Sequence, residues 1–373
     1  MPLVSKRDFV GLEGIAHLGC GGQPPLLKSH QNAFNEYAAD KASGMDGYNR
    51  HWQIGLSVKE KLAGMTGLSA GDFALIGNAS EGIIRALSSI DWRVGDNAVV
   101  SSLDYASGRY ALMSLRRMGV EVRLVETRGW WIDTDSLLTA CDEKTRAVYV
   151  SQVNAHTGQH IDLKSMSESL KARQTALIVD ASHALGVVPV DGRVCDFLVC
   201  STYKFLLAAH SGILAWNRQR WPSFEPSAVG WNSADPDPST AGYRLPPDAR
   251  RAEIGNSNHL SVYLLNTSLD YLNAISAVQL SSHINELTLK LSDGLTEAGC
   301  DVITSRTEID RGPNVSFLHS NPERFVQEAA QQGILLWGDA GRVRASVHAF
   351  VGEDDLEALI AFAADQNSGA KLT

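Results

Sequence analysis

A chain of 373 residues, 44% hydrophobic and 20% charged, has the size and composition of an ordinary globular protein of two domains, with no need of metal or disulfide to hold its core. Its 33 Lys+Arg against 42 Asp+Glu give a net charge of −9 with no basic run, which argues against nucleic acid and anionic membrane as partners. The five scattered cysteines (Cys20, Cys141, Cys195, Cys200, Cys300) form no CxxC pair, so reduced thiols in a cytoplasmic protein are expected. Charges at Lys6, Arg7, Asp8 and Glu13 stand where a signal peptide needs an apolar stretch, and no apolar run approaches the ~20 residues of a membrane span.

The first chemical signal along the chain is Gly77-Asn78-Ala79-Ser80-Glu81-Gly82, which runs into the helical pattern Ile83–Ile90. A small-residue turn opening a helix offers free N–H groups and the positive end of a helix dipole to a phosphate; helix capping alone favours the same residues. Strands are predicted at Ala98–Leu103, Glu121–Glu126, Arg146–Val153, Ala176–Asp180, Phe197–Thr202 and Gly212–Trp216. Several are continuous apolar runs, as strands buried on both faces require. Helical stretches at Ser107–Met118 and Leu163–Arg173 lie between them, and the alternation predicts a mostly parallel sheet covered by helices. Proline and glycine make Trp221–Arg251 a long irregular loop. Helices at Ser261–Ile275 and Ser281–Ala298 follow. The tail then gives strands Asp301–Thr304 and Val315–Leu318, helix Pro322–Gln331, strand Val343–Val347 and helix Asp354–Ala364, a second and smaller α+β domain.

Two strand ends carry the chemistry. Asp180 closes the run Leu177-Ile178-Val179, and ligands of open parallel sheets sit beyond the carboxyl ends of the strands. Lys204 follows the next strand and is itself followed by Phe205-Leu206-Leu207; an apolar setting lowers an amine's pKa toward the neutral, nucleophilic form. Either residue alone reads as a cap, an ion pair or a surface lysine. Together they are what pyridoxal 5'-phosphate (PLP) needs: a Schiff-base lysine and an acid for the pyridine nitrogen. His156 and His160 are four apart, but Gly158 lies between them, so no metal site is expected.

From about Asp72 to about Phe350 the chain resembles the class V aminotransferase family of fold-type I PLP enzymes, which includes cysteine desulfurases, kynureninases, serine–glyoxylate aminotransferases and isopenicillin N epimerases. The resemblance rests on Val179-Asp180-Ala181-Ser182-His183-Ala184-Leu185-Gly186, then Ser201-Thr202-Tyr203-Lys204, then Ser211-Gly212-Ile213-Leu214. It implies an α/β fold of the fold-type I PLP-dependent transferase kind, with a large domain (residues 17–265) built on a mostly parallel seven-stranded sheet. Residues 1–16 and 266–373 would form the smaller α+β C-terminal domain. It further implies that Lys204 carries PLP, Asp180 partners the pyridine nitrogen, and His183 reaches the phenolic oxygen where desulfurases usually have Gln. Ala79, Ser80, Ser201 and Tyr203 would hold the phosphate, and Tyr105 would stack on the ring. Arg344 would clamp the α-carboxylate of an amino-acid substrate. Asn256, where the family usually has Thr, would reach the phosphate of a second subunit in a homodimer with composite active sites.

The implied activity is that of an aminotransferase acting through a Cα quinonoid, with a carbon–sulfur β-lyase or epimerase as the alternative. Persulfide-forming desulfurase chemistry is disfavoured, because the late loop Trp337-Gly338-Asp339-Ala340-Gly341 has no cysteine.

Overall fold

Alternate residues of the central strands enter two separate apolar clusters, and that division builds the sheet. In the computed structural model, which describes residues 1–370, Leu177, Val179, Leu198 and Cys200 join one cluster while Ala176, Ile178, Phe197 and Val199 join the other. Each fully buried Val, Leu, Ile or Phe contributes roughly 1.5–3 kcal/mol, so strands covered on both faces need near-continuous apolar runs.

The seven strands are β1 (Phe73–Ile76), β2 (Asn97–Ser101), β3 (Glu121–Val125), β4 (Thr145–Ser151), β5 (Ala176–Asp180), β6 (Phe197–Ser201) and β7 (Gly212–Trp216). Their spatial order is β1-β7-β6-β5-β4-β2-β3. Neighbours pair in parallel except at β7, which is antiparallel to both β6 and β1. The register sets Ser151 beside Asp180 and Asp180 beside Val199, so β4, β5 and β6 end along one edge. Gly212 pairs with both Ser201 and Ile76 at that same edge. It has to be glycine: a Cβ there would lie 2.4 Å from the Asn78 backbone. This close approach brings the N-terminus of the helix Ala79–Ser88 against the end of β6.

A second sheet of four antiparallel strands runs β8 (Asp301–Val302), β9 (Asn314–Leu318), β11 (Arg342–Ser346), β10 (Trp337–Asp339) in spatial order. Helices Ala277–Glu297 and Pro322–Gln331 pack on it. Ala16–His17 pairs in parallel with Ile334–Leu335, which docks the start of the chain on this C-terminal unit.

The predicted elements are present with shifted ends. The helix predicted at Ser107–Met118 is an α-helix over Ala106–Ser114 and a tighter 3-10 turn over Leu115–Met118, stopped by Gly119 at φ 79°. The stretch expected to be wholly irregular after Trp221 contains a small hairpin, Asp235–Pro236 with Tyr243–Arg244, and a 3-10 turn at Ala249–Ala252. Several elements went unpredicted, among them two helices and an edge strand of the large sheet. Helix His30–Ala42 buries only His30, Ala33 and Asp40, so it carries almost no apolar stripe. Helix Gly44–Thr66 buries two glycines and a histidine among its core-facing residues. β1 is four apolar residues long, too short to separate from a buried helical turn. No helix among the described residues is long and apolar enough to cross a membrane.

Candidate active site

Lys204 follows β6 and is 6% exposed. Its Nζ lies 3.2 Å from Nε2 of His183. A directed chain of donors stands behind that contact. Ser346 donates its hydroxyl to Oδ1 of Asn314 at 2.8 Å, and Nδ2 of Asn314 donates to Nδ1 of His183 at 3.0 Å. With Nδ1 accepting, the imidazole proton of neutral His183 is on Nε2, facing the Lys204 nitrogen, and can be donated to it once Lys204 has lost its own proton. Burial is the main reason the Lys204 amine is lowered to about 8, Arg344 pushes the same way, and the Asp180 carboxylate opposes them. His183 is held well below its ordinary value by burial first and by the Lys204 and Arg344 charges next, so it stays neutral.

The loop after β5 interlocks with the lysine loop. Ser182 N–H donates to Oδ1 of Asp180 at 2.8 Å, and the Ser182 hydroxyl accepts from Ser201 N–H at 2.9 Å. Gly186 sits at φ 99°, and a Cβ there would meet the Phe205 carbonyl oxygen at 2.6 Å, so the turn needs glycine on both counts.

Asp180 is buried, and its Oδ2 accepts from the Tyr149 hydroxyl at 3.1 Å. The segment after β2, two strands away, supplies a second buried acid that sequence reading passed over. Asp104 accepts from Ser151 Oγ at 2.5 Å, Ser151 N–H at 3.0 Å and Tyr105 N–H at 2.8 Å. Burial raises its carboxyl to about 6 in spite of those donors. The contact anchors the backbone of Tyr105, whose ring centroid lies 5.2 Å from Nζ of Lys204. Asn154 ties the loop after β4 to the segment after β2. Its amide donates to the Leu103 carbonyl at 3.0 Å, and its oxygen accepts from the N–H groups of His156 and Thr157 at 2.8 and 3.0 Å. It organises the loop beside the lysine.

Asn78 caps the helix Ala79–Ser88 by accepting from Glu81 N–H at 2.9 Å. The N–H groups of Ala79 and Ser80 find no hydrogen-bond partner among the described residues. Ser80 shares a hydroxyl contact of 2.8 Å with Ser107. Ser201 stands across the register from Gly212, against which the Asn78 turn packs, and the Tyr203 ring stacks on His210 at 4.1 Å. Free N–H groups at the positive end of a helix, beside serine hydroxyls, suit a phosphate. A buried amine with one neutral neighbour suits an aldehyde. The residues present therefore fit PLP.

Arg344 reaches this edge from β11. It is 5% exposed, its Nη1 donates to the Ala155 carbonyl at 2.8 Å, and its Nε is buried without a partner. Burial, then Arg342, lowers it to about 10, which leaves it cationic at neutral pH. Gly21 lets the N-terminal segment close over it, since a Cβ there would fall 2.9 Å from Nη2. Asn256 is not part of this constellation within the chain. It is exposed and accepts from the Tyr48 hydroxyl at 3.0 Å. Cys20, Cys195 and Cys200 are fully buried with thiols pushed far up, which keeps them protonated.

A family model for aminotransferase class-V matches residues 23–359. A probable cysteine desulfurase of Methanothermobacter thermautotrophicus is 27% identical over 297 residues, 77% of this chain and 74% of that protein. A kynureninase of Deinococcus radiodurans is 24% identical over 328 residues, 80% and 78% of the two chains. Among solved structures, C-DES with glycine covalently linked to its PLP cofactor superimposes with a TM-score of 0.88 at 20% identity, covering 97% of this chain and 99% of that one. The same protein, described as a cystine C–S lyase, has also been solved with its product cysteine persulfide.

Proposed function

Because the chain belongs to the class V aminotransferase family of PLP-dependent enzymes, we propose that it is an aminotransferase that uses Lys204 both to hold PLP and to move the Cα proton of an amino-acid substrate. The observation that carries this reading is the buried Lys204 amine, lowered to about 8 and facing a neutral imidazole. When bound, PLP supplies a pyridinium ring that withdraws electrons from the substrate's Cα. Everything else falls to the protein. Asp180, fixed by Tyr149 and Ser182, keeps a proton on the pyridine nitrogen. His183 stays neutral and donates toward the phenolic oxygen. Ala79, Ser80, Ser201 and Tyr203 hold the phosphate, and Tyr105 covers the ring face. Arg344 binds the substrate's α-carboxylate, and Lys204 takes the proton at Cα and returns it to another carbon. Asn256, exposed and held by the Tyr48 hydroxyl, would serve the phosphate site of a second copy in a homodimer.

A carbon–sulfur β-lyase is the second reading, favoured by the likeness of the fold to C-DES. The reactions separate by their stoichiometry. An aminotransferase makes its 2-oxo acid only when an acceptor oxo acid is present; a β-lyase releases ammonia without one. Ammonia release from purified enzyme with no acceptor would replace the first reading by the second.

Two further results are expected. Only the neutral amine attacks an aldehyde, and a lowered pKa means that Lys204 is protonated below about 8 and neutral above it. Imine formation by the apoprotein is therefore expected to accelerate with pH through a midpoint near 8, followed by absorbance; a midpoint near the ~10.4 of a free lysine would contradict the buried setting. Arg344→Lys keeps the charge but loses the planar fork that grips a carboxylate at two points. It is expected to raise KM for the amino acid about tenfold or more with a smaller change in kcat. An unchanged kcat/KM would remove Arg344 from the substrate site.

A further inference from the structure

Arg344 is not the only guanidinium aimed at this edge. Side chains alternate along a strand, so Arg342, Arg344 and Ser346 share one face of β11. The register of the hairpin sets Asp339 opposite Arg342 and Trp337 opposite Arg344. Arg109 comes from the other side, four residues after Tyr105 and so on the same helical face as the ring beside Lys204. His156 stands among them: its ring is 6.4 Å from that of Tyr105, and the charges of Arg342, Asp339, Arg344 and Arg109 all act on it.

The charges of this group do not balance. It holds three guanidiniums and one carboxylate, Asp339, which pairs with Arg342 at 2.8 Å. Burial, the largest cause, lowers His156 to about 4, so it is neutral. The oxygens of Asp104 and Asp180 are already taken by Ser151, Tyr105, Tyr149 and Ser182. Arg342 and Arg344 are 4% and 5% exposed. Nε of Arg109, Nε of Arg342, Nε of Arg344 and Nδ1 of His156 are all buried without a hydrogen-bond partner among the described residues. A buried cation with unmade hydrogen bonds is costly unless a ligand supplies the missing anion. One α-carboxylate on Arg344 accounts for only one of the two surplus charges.

We propose that the substrate is an amino acid with a second acidic group on its side chain, bound by Arg342 and Arg109 while Arg344 holds the α-carboxylate. This rests on the reading of the site as one that takes an amino acid, and it adds the substrate class. Carboxylate, sulfinate and sulfonate side chains share the required chemistry; Asp339 and Trp337 shape the space available to them.

The test compares acidic with neutral substrates on the holoenzyme and pairs it with a binding measurement independent of turnover. Aspartate, glutamate and cysteine sulfinate are expected to exceed alanine and 2-aminobutyrate in kcat/KM by about a hundredfold, the scale of a charged group left without its partner. Succinate is expected to outbind butyrate by a similar factor in calorimetry. Arg342→Gln is expected to collapse both ratios, and Arg342→Lys to restore part of them. Equal handling of acidic and neutral amino acids by the unmodified enzyme would overturn the proposal while leaving the role of Lys204 intact, and it does not depend on the variants folding. Equal binding of succinate and butyrate would overturn it as well. If no amino acid reacts yet succinate still outbinds butyrate, the reaction assignment falls and the diacid subsite stands.

Discussion

Lys204→Ala is expected to give a folded protein whose turnover is lower by about 10⁴-fold or more, the combined loss of a covalent anchor and a positioned base. The fold is expected to survive because little of it leans on the side chain, whose ammonium lies near the Tyr105 and Tyr203 rings. Among the described residues its one side-chain hydrogen-bond partner is His183, which keeps Asn314, and the substitution breaks no buried ion pair. It also removes a cation that the interior holds against desolvation, the largest cause of its lowered pKa. The change is checked by steady-state rates alongside a thermal melt. A variant that melts like the parent and still turns over above one part in a hundred would dismiss Lys204 as the reacting amine.

Asp180→Asn is expected to lower kcat by about 10²–10³-fold with the fold retained, since the amide can accept a hydrogen bond but cannot hold a proton on a pyridine nitrogen by charge. The local cost is one reversed contact. Tyr149 now donates to Oδ2, and an amide nitrogen at that position requires the hydroxyl to turn and accept, which costs about 0.5–1.5 kcal/mol of stability. The ordering of the two losses matters. A purely structural Asp180 would show the stability change with kcat near that of the parent, whereas the proposed role requires kcat to fall far more than the melt does.

The parts of the molecule legible in the sequence were those that repeat a physical constraint over several residues. The run Ala176-Leu177-Ile178-Val179 admits little besides a strand covered on both faces, and Asp180, which closes it, then stands at the carboxyl edge of the sheet. Lys204 followed by three apolar residues signalled burial in the same way. Asn256 was inferred from resemblance to reach the phosphate of a second subunit, and within one chain it is exposed and accepts from the Tyr48 hydroxyl. What stayed hidden depends on register. Arg342 and Arg344 are separated by a single valine, so their common face could be read from the sequence, but Asp339 opposite Arg342 appears only once the hairpin is closed. Asp104 was in view next to Tyr105, yet its role depends on Ser151, which parallel pairing brings from 47 residues away. The directed chain Ser346–Asn314–His183–Lys204 joins both sheets, and no local pattern encodes it. Helix His30–Ala42 shows the reverse limit: it folds against helices Gly44–Thr66 and His259–Asn273 with few apolar residues to announce it.

The most direct measurement is to reduce the PLP-loaded enzyme with borohydride, digest it and locate the phosphopyridoxyl group by mass spectrometry. The modification is expected on the peptide that contains Lys204 and on no other. Label on a different lysine, or an enzyme that takes up no label at all, would contradict the site from which every other assignment was built.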